Sequence, residues 1–445
     1  MRASDPASSL RRRTPAAAFL VAWLAAAPPT AAEGPEPEAR REEREQAPAR
    51  PEPQEVAPLN QLGSAPTVAG FDPGAHLLGG LPGRDALADA GLSFSGALFV
   101  DTLHVLDGPE ERTEVRSLGV LDAGLDTGSL GWWDHGTVFA RVYAGLATDG
   151  AEAFPATLQE VDTVPAFEHV VLGELWYEQR FPDARLRVRA GRMDANSDFA
   201  FASAAAALVT DSAAVTPTNY GIPSYLDPAL GALAFFYPED WSFGVGVYRG
   251  TLALPSEAGL GDLRFVEVEL DSPEASTYVI GEAARRWGYR DAAAWPGALK
   301  LGGWLADGDF RRLDGTPGST ITGAYLVFEQ SLHAAGAPGP DLFVQLGFTE
   351  DGFSPVRSQA AAGLAWTGLF PGRPADTTAA YVSRAGLSSA PGSSTPEAAE
   401  TVFELTHAFQ LTPWLRVQPD VQHVLNAGGD PRDLTLAGLR LTLQF

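Results

Sequence analysis

The chain has 445 residues, 45% of them hydrophobic, with no cysteine and a single lysine, Lys300. The lack of cysteine excludes a disulfide framework, a thiolate metal site and a cysteine nucleophile. The formal net charge is −25, and so acidic a chain is not expected to bind nucleic acid, which requires a basic surface. The length would fit two or three ordinary domains, although large barrels reach this size as one domain.

The first 32 residues have the pattern of a secretory signal peptide. Arg11, Arg12 and Arg13 form a basic region, the apolar core at 16–27 is too short to span a membrane, and the small residues at 28–32 offer a cleavage site. The segment holds four arginines and one aspartate, so its removal takes the formal charge from −25 to −28. No later apolar run reaches about 20 residues, as a transmembrane helix requires. The exported chain is therefore periplasmic, secreted or an outer-membrane barrel.

The composition of residues 33–75 predicts an acidic, proline-rich periplasmic arm. The stretch 33–67 has few large apolar side chains and cannot bury enough surface to offset the entropy lost on ordering. A short helix is predicted at 83–91. Residues 76–445 form the remaining domain.

From residue 91 onward, apolar side chains recur at every second position. Sixteen segments, from 91–104 to 433–445, have this alternation, and most are close to the roughly 9–11 residues that a tilted strand needs to cross a bilayer. A further alternating segment at 263–270 leaves the count open. The sequence therefore predicts an all-β fold, a transmembrane antiparallel up-and-down β-barrel of about 16 strands with a short N-terminal periplasmic segment.

The lengths of the connections support a barrel. Barrels of this type have short periplasmic turns and longer extracellular loops. With the last strand ending on the periplasmic side, the short connections at 182–184, 238–240, 334–340, 371–376 and 412–414 all fall on that side. The longer ones fall on the outer side, at 147–168, 193–228, 250–274, 308–318 and 389–399.

The closing sequence AGLRLTLQF, at 437–445, predicts the last strand. Leu439, Leu441, Leu443 and Phe445 would face the lipid of the outer membrane, while Arg440 and Thr442 would face the lumen. The terminal aromatic Phe445 resembles the signal by which the barrel assembly machinery recognises outer-membrane barrels.

Two neighbouring strands carry charged side chains on one face. Arg185, Arg187 and Arg189 share a face in 185–192, and Glu174, Trp176 and Glu178 share a face in 172–180. The tight turn between these segments predicts that they pair and set the arginines opposite the carboxylates. By the same alternation, Arg141 faces the lumen. The alternative is an ion-pair row that only stiffens the barrel wall.

The loop at 193–228 is too long and too apolar for a simple solvent-facing turn. Long loops without regular structure are usually functional. We expect it to fold inward and narrow the pore, with Asn219 and Tyr220, or Tyr225, lining the passage. The alternative is an external loop that packs on neighbours in a trimer.

Several stretches resemble the carbohydrate-selective porin family, OprB. They are LLGG…GRDALADAGLSFSG (77–96), LGELWYEQRFPDARLRVRAGRMDANSDFA (172–200), GALKLGGWLADGDF (297–310) and QLTPWLRVQPDVQHVLNAGG (410–429). The first stretch lacks the tryptophan of the family's entry motif and has Leu81-Pro82 inserted. The resemblance implies a sixteen-stranded barrel, trimeric or monomeric, that passes glucose-like sugars through a narrow constriction without a cofactor. The positions that match the family's motifs are Glu174, Trp176, Glu178, Arg185, Arg187, Arg189, Asp194 and Asn196.

These residue types suit a sugar, which is uncharged, carries many hydroxyls and has apolar ring faces. Arginine supplies a rigid fork of donors, carboxylates supply acceptors, and tryptophan supplies an apolar face. A general or anion-selective porin is the alternative, because the charge of the constriction decides selectivity. A structural role in the envelope is a further possibility.

An enzyme is disfavoured by three features of the sequence. Four residues along a strand place Glu174 and Glu178 about 13 Å apart, whereas glycosidase carboxylates lie about 5–9.5 Å apart. The seven histidines show no metal-ligand spacing. The sequence also has no G-x-S-x-G motif.

Overall fold

The computed structural model describes residues 77–78, 82–148, 157–181, 185–225, 227–250, 276–289, 295–334 and 336–445. The predicted signal peptide, the arm and the alternating segment 263–270 lie outside the described residues. In the described part of the chain, none of the helices is long and apolar enough to span a membrane.

Sixteen antiparallel strands close into a barrel in which each strand pairs with its sequence neighbours and β1 pairs with β16. The predicted fold class and strand number are confirmed. The strands are β1 (Leu92–Asp107), β2 (Thr113–Asp126), β3 (Gly136–Ala147), β4 (His169–Arg180), β5 (Leu186–Met193), β6 (Ala229–Phe236), β7 (Trp241–Gly250), β8 (Ser276–Trp287), β9 (Gly297–Arg311), β10 (Pro317–Ser331), β11 (Gly339–Thr349), β12 (Val356–Thr367), β13 (Thr377–Leu387), β14 (Ala399–Thr412), β15 (Leu415–Leu425) and β16 (Leu434–Gln444).

The two faces of each strand differ because successive side chains point to opposite sides of a sheet. In β16, Arg440 and Thr442 are buried inside the barrel, whereas Leu439 on the outer face is 49% exposed. Large apolar side chains such as Leu405 and Phe403 are likewise exposed on the outer wall of β14. The barrel thus has an apolar outer surface for lipid and a polar inner surface.

The end of the chain closes the barrel against β1. The backbone N–H of Phe445 donates to Gly96 O at 2.9 Å, and that of Gly96 donates to Phe445 O at 2.8 Å. The Phe445 ring lies over Gly96, where a Cβ would be only 2.5 Å from ring atom Cε2. A short helix, α1 (Arg84–Asp89), precedes β1, as the sequence predicted.

The expected loop at 308–318 is shorter than predicted. Strand β9 continues to Arg311 and β10 begins at Pro317, and these two residues pair. The turn between them is tight because Thr316 N donates to Asp314 Oδ1 at 2.9 Å and Gly315 adopts a φ of 80°.

Two outer loops lie inside the barrel. Loop A, whose described part is 194–225 and 227–228, joins β5 to β6 and contains a short 3-10 turn (Ser203–Ala207) and helix α2 (Asp211–Ala214). Its apolar residues Phe199 and Leu208 pack with wall aromatics such as Tyr278 and Trp304 in the largest buried cluster. Loop B, whose described part is 157–168, joins β3 to β4 and packs against the opposite wall through Val161 and Val164.

Candidate substrate pathway

Strands β3, β4 and β5 place arginines beside carboxylates on the inner wall. Strand pairing sets Glu178 opposite Arg189 and Glu174 opposite Arg141. The predicted pairing of β4 with β5 is therefore observed, with arginine facing carboxylate.

Arg187 and Arg189 lie between two carboxylates. Glu178 Oε2 is 2.7 Å from Arg189 Nη2 and 3.4 Å from Arg187 Nη1. From the other side, Asp198 of loop A reaches both guanidinium groups, at 2.7 Å from Arg187 Nη2 and 2.9 Å from Arg189 Nη1. The sequence reasoning missed Asp198, which holds loop A against the arginines of β5.

Arg141 also lies between two carboxylates, which belong to the two strands on either side of it. Its Nε and Nη2 donate to the two oxygens of Asp122 on β2 at 2.6 and 2.8 Å, and its Nη1 lies 3.4 Å from Glu174 Oε1. All three side chains are buried. Asp122 was not among the predicted site residues, although it occupies an inward position in a strand that the sequence identified.

Trp176 supports the charged groups around it. Its Nε1 donates to Glu174 Oε2 at 3.0 Å, its ring stacks on Phe139 at a centroid distance of 4.8 Å, and Arg189 Cζ lies 4.0 Å from its ring centroid. Gly191 faces Trp176 across the β4–β5 pair. A Cβ on Gly191 would lie 2.6 Å from Trp176 Cα, and its φ of 143° also favours glycine.

Three other predicted residues occupy different surroundings. Arg185 precedes β5 and is exposed, so it lies outside the buried cluster. Asp194 accepts hydrogen bonds from the backbone N–H groups of Asn196 and Ser197 at 2.7 and 3.3 Å. Burial, together with the nearby charge of Glu174, raises the pKa of Asp194 to about 7. Asn196 donates to Ala214 O at 3.0 Å and so ties together two parts of loop A.

The predicted residues at the end of loop A are packed inside the barrel. Asn219 is 3% exposed, and neither atom of its amide has a hydrogen-bond partner among the described residues. Tyr220 is half-buried against the largest apolar cluster. Tyr225 meets Tyr143 edge-to-face at a centroid distance of 5.0 Å, and Arg141 contacts Tyr143 in turn. Tyr143 therefore lies between Tyr225 and the arginine cluster.

Wall side chains hold loop A by its backbone. Glu404 of β14 accepts hydrogen bonds from Val209 N and Thr210 N at 2.7 and 3.0 Å. Lys300 of β9 donates to Phe201 O at 2.7 Å, and Glu282 of β8 accepts from Ala200 N at 3.0 Å. Buried backbone groups need such partners, which explains why these charged side chains lie on the inner wall beside loop A.

Loop B was not predicted to enter the barrel, and the wall holds it in a similar way. Glu400 of β14 accepts from Leu158 N and Gln159 N at 3.0 and 2.7 Å. Arg440 of β16 pairs with Asp162 of loop B and with Asp101 of β1, each at 2.7 Å. The signal that could have revealed this is the apolar composition of 158–167, the same property that singled out 193–228.

The two loops also contact each other. Asp211 N donates to Glu160 O at 2.9 Å, and Thr163 N donates to Val209 O at 3.1 Å. The hydroxyl of Thr210 donates to Glu160 O at 2.9 Å. The two loops are therefore joined inside the barrel, and Asp198 links loop A to the arginine cluster of the wall. Among the residues that the structure describes, no group of three or more side chains could hold a metal ion.

A closed sixteen-stranded barrel with an apolar outer wall and loops folded into its lumen defines an outer-membrane porin. The family model for "Carbohydrate-selective porin, OprB family" matches residues 121–445. The chain belongs to this family of bacterial outer-membrane channels.

Solved structures show the same fold. The high-pH structure of Pseudomonas putida OprB has 20% sequence identity and a TM-score of 0.71, over 82% of this chain and 96% of that chain. The low-pH structure of the same protein has 18% identity and a TM-score of 0.54, over 83% and 98% of the two chains. None of the curated proteins matches the chain significantly in sequence.

Proposed function

We propose that this porin passes neutral sugars through a constriction formed by the arginine cluster of β3–β5, loop A and loop B. The observation that carries the proposal is the double pairing of each cluster arginine. Arg141, Arg187 and Arg189 each contact two carboxylates within 3.4 Å. The cluster is therefore dense in donors and acceptors without carrying excess positive charge.

Such a surface suits a neutral polyhydroxyl solute. Guanidinium groups held in fixed directions donate hydrogen bonds, and carboxylates accept them. We assign Trp176 the role of orienting Arg189, because its ring already contacts Phe139 and that guanidinium. Asn219 and Tyr225 would add hydrogen-bonding groups from loop A, since the amide of Asn219 and the hydroxyl of Tyr225 have no partner among the described residues.

The alternative is a general or anion-selective porin. Anion selectivity would require arginines whose charge is available to the solute, and the pairing of the cluster arginines argues against it. We further propose that outer-membrane lipid contacts the outer wall, that Phe445 engages the barrel assembly machinery, and that the protein acts as a channel rather than an enzyme.

Liposome swelling and planar bilayers test the proposal. Glucose should permeate faster than neutral solutes of equal size, and sugar should block the ion current. Equal permeation rates without block would remove the sugar selectivity and leave a general porin. Arg187→Ala should weaken the block and raise the conductance, whereas Arg432→Ala, which alters an exposed arginine on the β15–β16 loop, should change neither.

A further inference from the structure

A groove of about 710 Å³ lies in the outer wall of the barrel, along β13, β14 and β15. The pairing of β14 with β15 stops there at Thr406↔Asp420 and resumes at Phe409↔Val417. Pro419 lies in this gap. Its carbonyl accepts a hydrogen bond from Thr406 Oγ1 at 2.9 Å, but proline has no N–H to donate in return. The apolar side chains that line the groove are Phe370, Leu405, Phe409, Leu411, Pro419 and Val421. Ligand sites typically measure about 300–1,000 Å³, so the groove has room for a ligand.

The groove faces the lipid of the periplasmic leaflet. Its side chains point outward, since Leu405, Leu411 and Phe370 are 60%, 53% and 51% exposed. The turn at 368–376, which borders the groove, joins β12 to β13 and therefore lies at the opposite end of the barrel from loops A and B. Short turns of such barrels lie at the periplasmic end. The apolar material available to fill the groove is thus an acyl chain of that leaflet.

Arg373 places a fixed cation at the periplasmic rim of the groove. Its Nε and Nη2 donate to the two oxygens of Asp376 at 2.6 and 2.7 Å, and Nη2 also lies 3.3 Å from Gln410 O. A guanidinium group has five N–H donors, and those of Nη1 have no partner among the described residues. Asp376 is buried, whereas the side chain of Arg373 is 41% exposed. Of this ion pair, the membrane therefore meets mainly the cation.

His407 connects this cation to the apolar part of the groove. It lies on the outward face of β14, where its ring meets Phe370 and Phe409 edge-to-face at centroid distances of 5.3 and 4.3 Å. Its Nδ1 hydrogen-bonds with Thr378 Oγ1 at 2.8 Å, and its Nε2 lies 3.5 Å from Asp376 Oδ2. Polar groups that face apolar surroundings need such partners. The result is an apolar groove with one polar, cationic end.

We propose that this groove binds one phospholipid of the periplasmic leaflet, with an acyl chain between Phe409 and Pro419 and the phosphate on Nη1 of Arg373. Arginine and phosphate form strong, charge-assisted hydrogen bonds, and a basic group at headgroup level is typical of sites that select lipid headgroups. The apolar groove and the cation match the two parts of a phospholipid in the order in which the membrane presents them. The lipid site is independent of the sugar function.

Native mass spectrometry of the detergent-solubilised full chain tests the site. The protein is titrated with dioleoyl phosphatidylglycerol and with dioleoylglycerol, which has the same acyl chains but no phosphate. The wild-type protein should bind one phosphatidylglycerol at least about tenfold more tightly than dioleoylglycerol, because charge-assisted hydrogen bonds to the phosphate are added. Equal affinity for the two lipids would overturn the proposal.

Arg373→Gln tests the assignment of the phosphate. This variant should bind the two lipids alike. Arg357→Gln should keep the wild-type preference, because it alters an exposed arginine at the other end of the wall, 3.7 Å from Asp351. A folded Arg373→Gln variant that keeps the preference would overturn the assignment.

Val421→Phe tests the groove itself, because the larger side chain would occupy the space of the acyl chain. It should weaken the binding of both lipids several-fold, whereas Val382→Phe, on the outward face of β13 and outside the groove lining, should not. Heat-modifiable gel mobility shows whether each variant is folded. If Arg373→Gln does not fold, Val421→Phe decides alone, and unchanged lipid binding overturns the site. A wild-type oligomer that Val421→Phe converts to monomers would make the groove a subunit interface and would also overturn it.

Discussion

Asp198 provides the sharpest test of how the proposed constriction is held together. Its carboxylate is the contact through which loop A reaches both Arg187 and Arg189, at 2.7 and 2.9 Å. Asp198→Asn keeps the size of the side chain but removes its charge. The two guanidinium groups would then depend on Glu178 for compensation and would lose their fixed direction.

The expected magnitude follows from the burial of these groups. Removing one partner of a buried ion pair costs about 3–5 kcal/mol. We expect a loss of about 3 kcal/mol in the free energy of unfolding, which is the lower end of this range. The loss is limited because Glu178 still lies 2.7 Å from Arg189 and 3.4 Å from Arg187. A sugar that loses one hydrogen bond to a fixed guanidinium should bind at least about tenfold less tightly, since such bonds contribute about 1.5–3 kcal/mol and about 1.4 kcal/mol is a factor of ten.

Two measurements check this prediction. Urea titration followed by heat-modifiable gel mobility gives the change in unfolding free energy, and sugar block of the ion current gives the dissociation constant. Asp227→Asn is the matched control, because Asp227 belongs to the same loop but its side chain is 63% exposed and lies 3.7 Å from Arg192. If Asp198→Asn kept wild-type stability and wild-type sugar block, the idea that loop A orients the arginines would be wrong.

Further predictions concern the supports of the site. Trp176→Ala should weaken sugar block several-fold and raise conductance, because Arg189 loses the ring 4.0 Å away; bilayer recordings check both. Glu404→Gln should remove one of the two hydrogen bonds to the backbone at 209–210, loosen loop A and give noisier single-channel currents, and wild-type currents would refute this. Gly191→Ala should destabilise the barrel by about 1–3 kcal/mol in urea titration, since its φ is 143°.

The barrel could be predicted because the pattern that identifies each strand lies within the sequence of that strand. The alternation of apolar and polar residues identified all sixteen strands, and the inward positions of Arg187, Arg189 and Arg141 followed from the same parity. Pairing of β4 with β5 was predictable because only a short turn separates them. The ends of β9 and β10 were less predictable, since a turn residue such as Asp314 shortens the loop by a specific hydrogen bond.

The side-chain contacts of the proposed constriction could not be predicted from such a local pattern. Asp162 and Arg440, which pair at 2.7 Å, are 278 residues apart in the chain, and no periodicity connects them. Asp198 lies near the arginines in sequence, but its contact depends on how loop A turns back into the lumen. The apolar character of 193–228 correctly suggested a loop packed on protein. The same character in 158–167 indicates that this criterion could be applied to every outer loop of such a barrel.

Sugar block of the current through single wild-type channels tests the central claim most directly. Glucose added to a planar bilayer should reduce the ion current in a saturable manner, at concentrations where an uncharged solute of the same size, without ring hydroxyls, has no effect. Equal reduction by the two solutes, or no reduction by either, would show that the paired arginine cluster of β3–β5 does not recognise sugar.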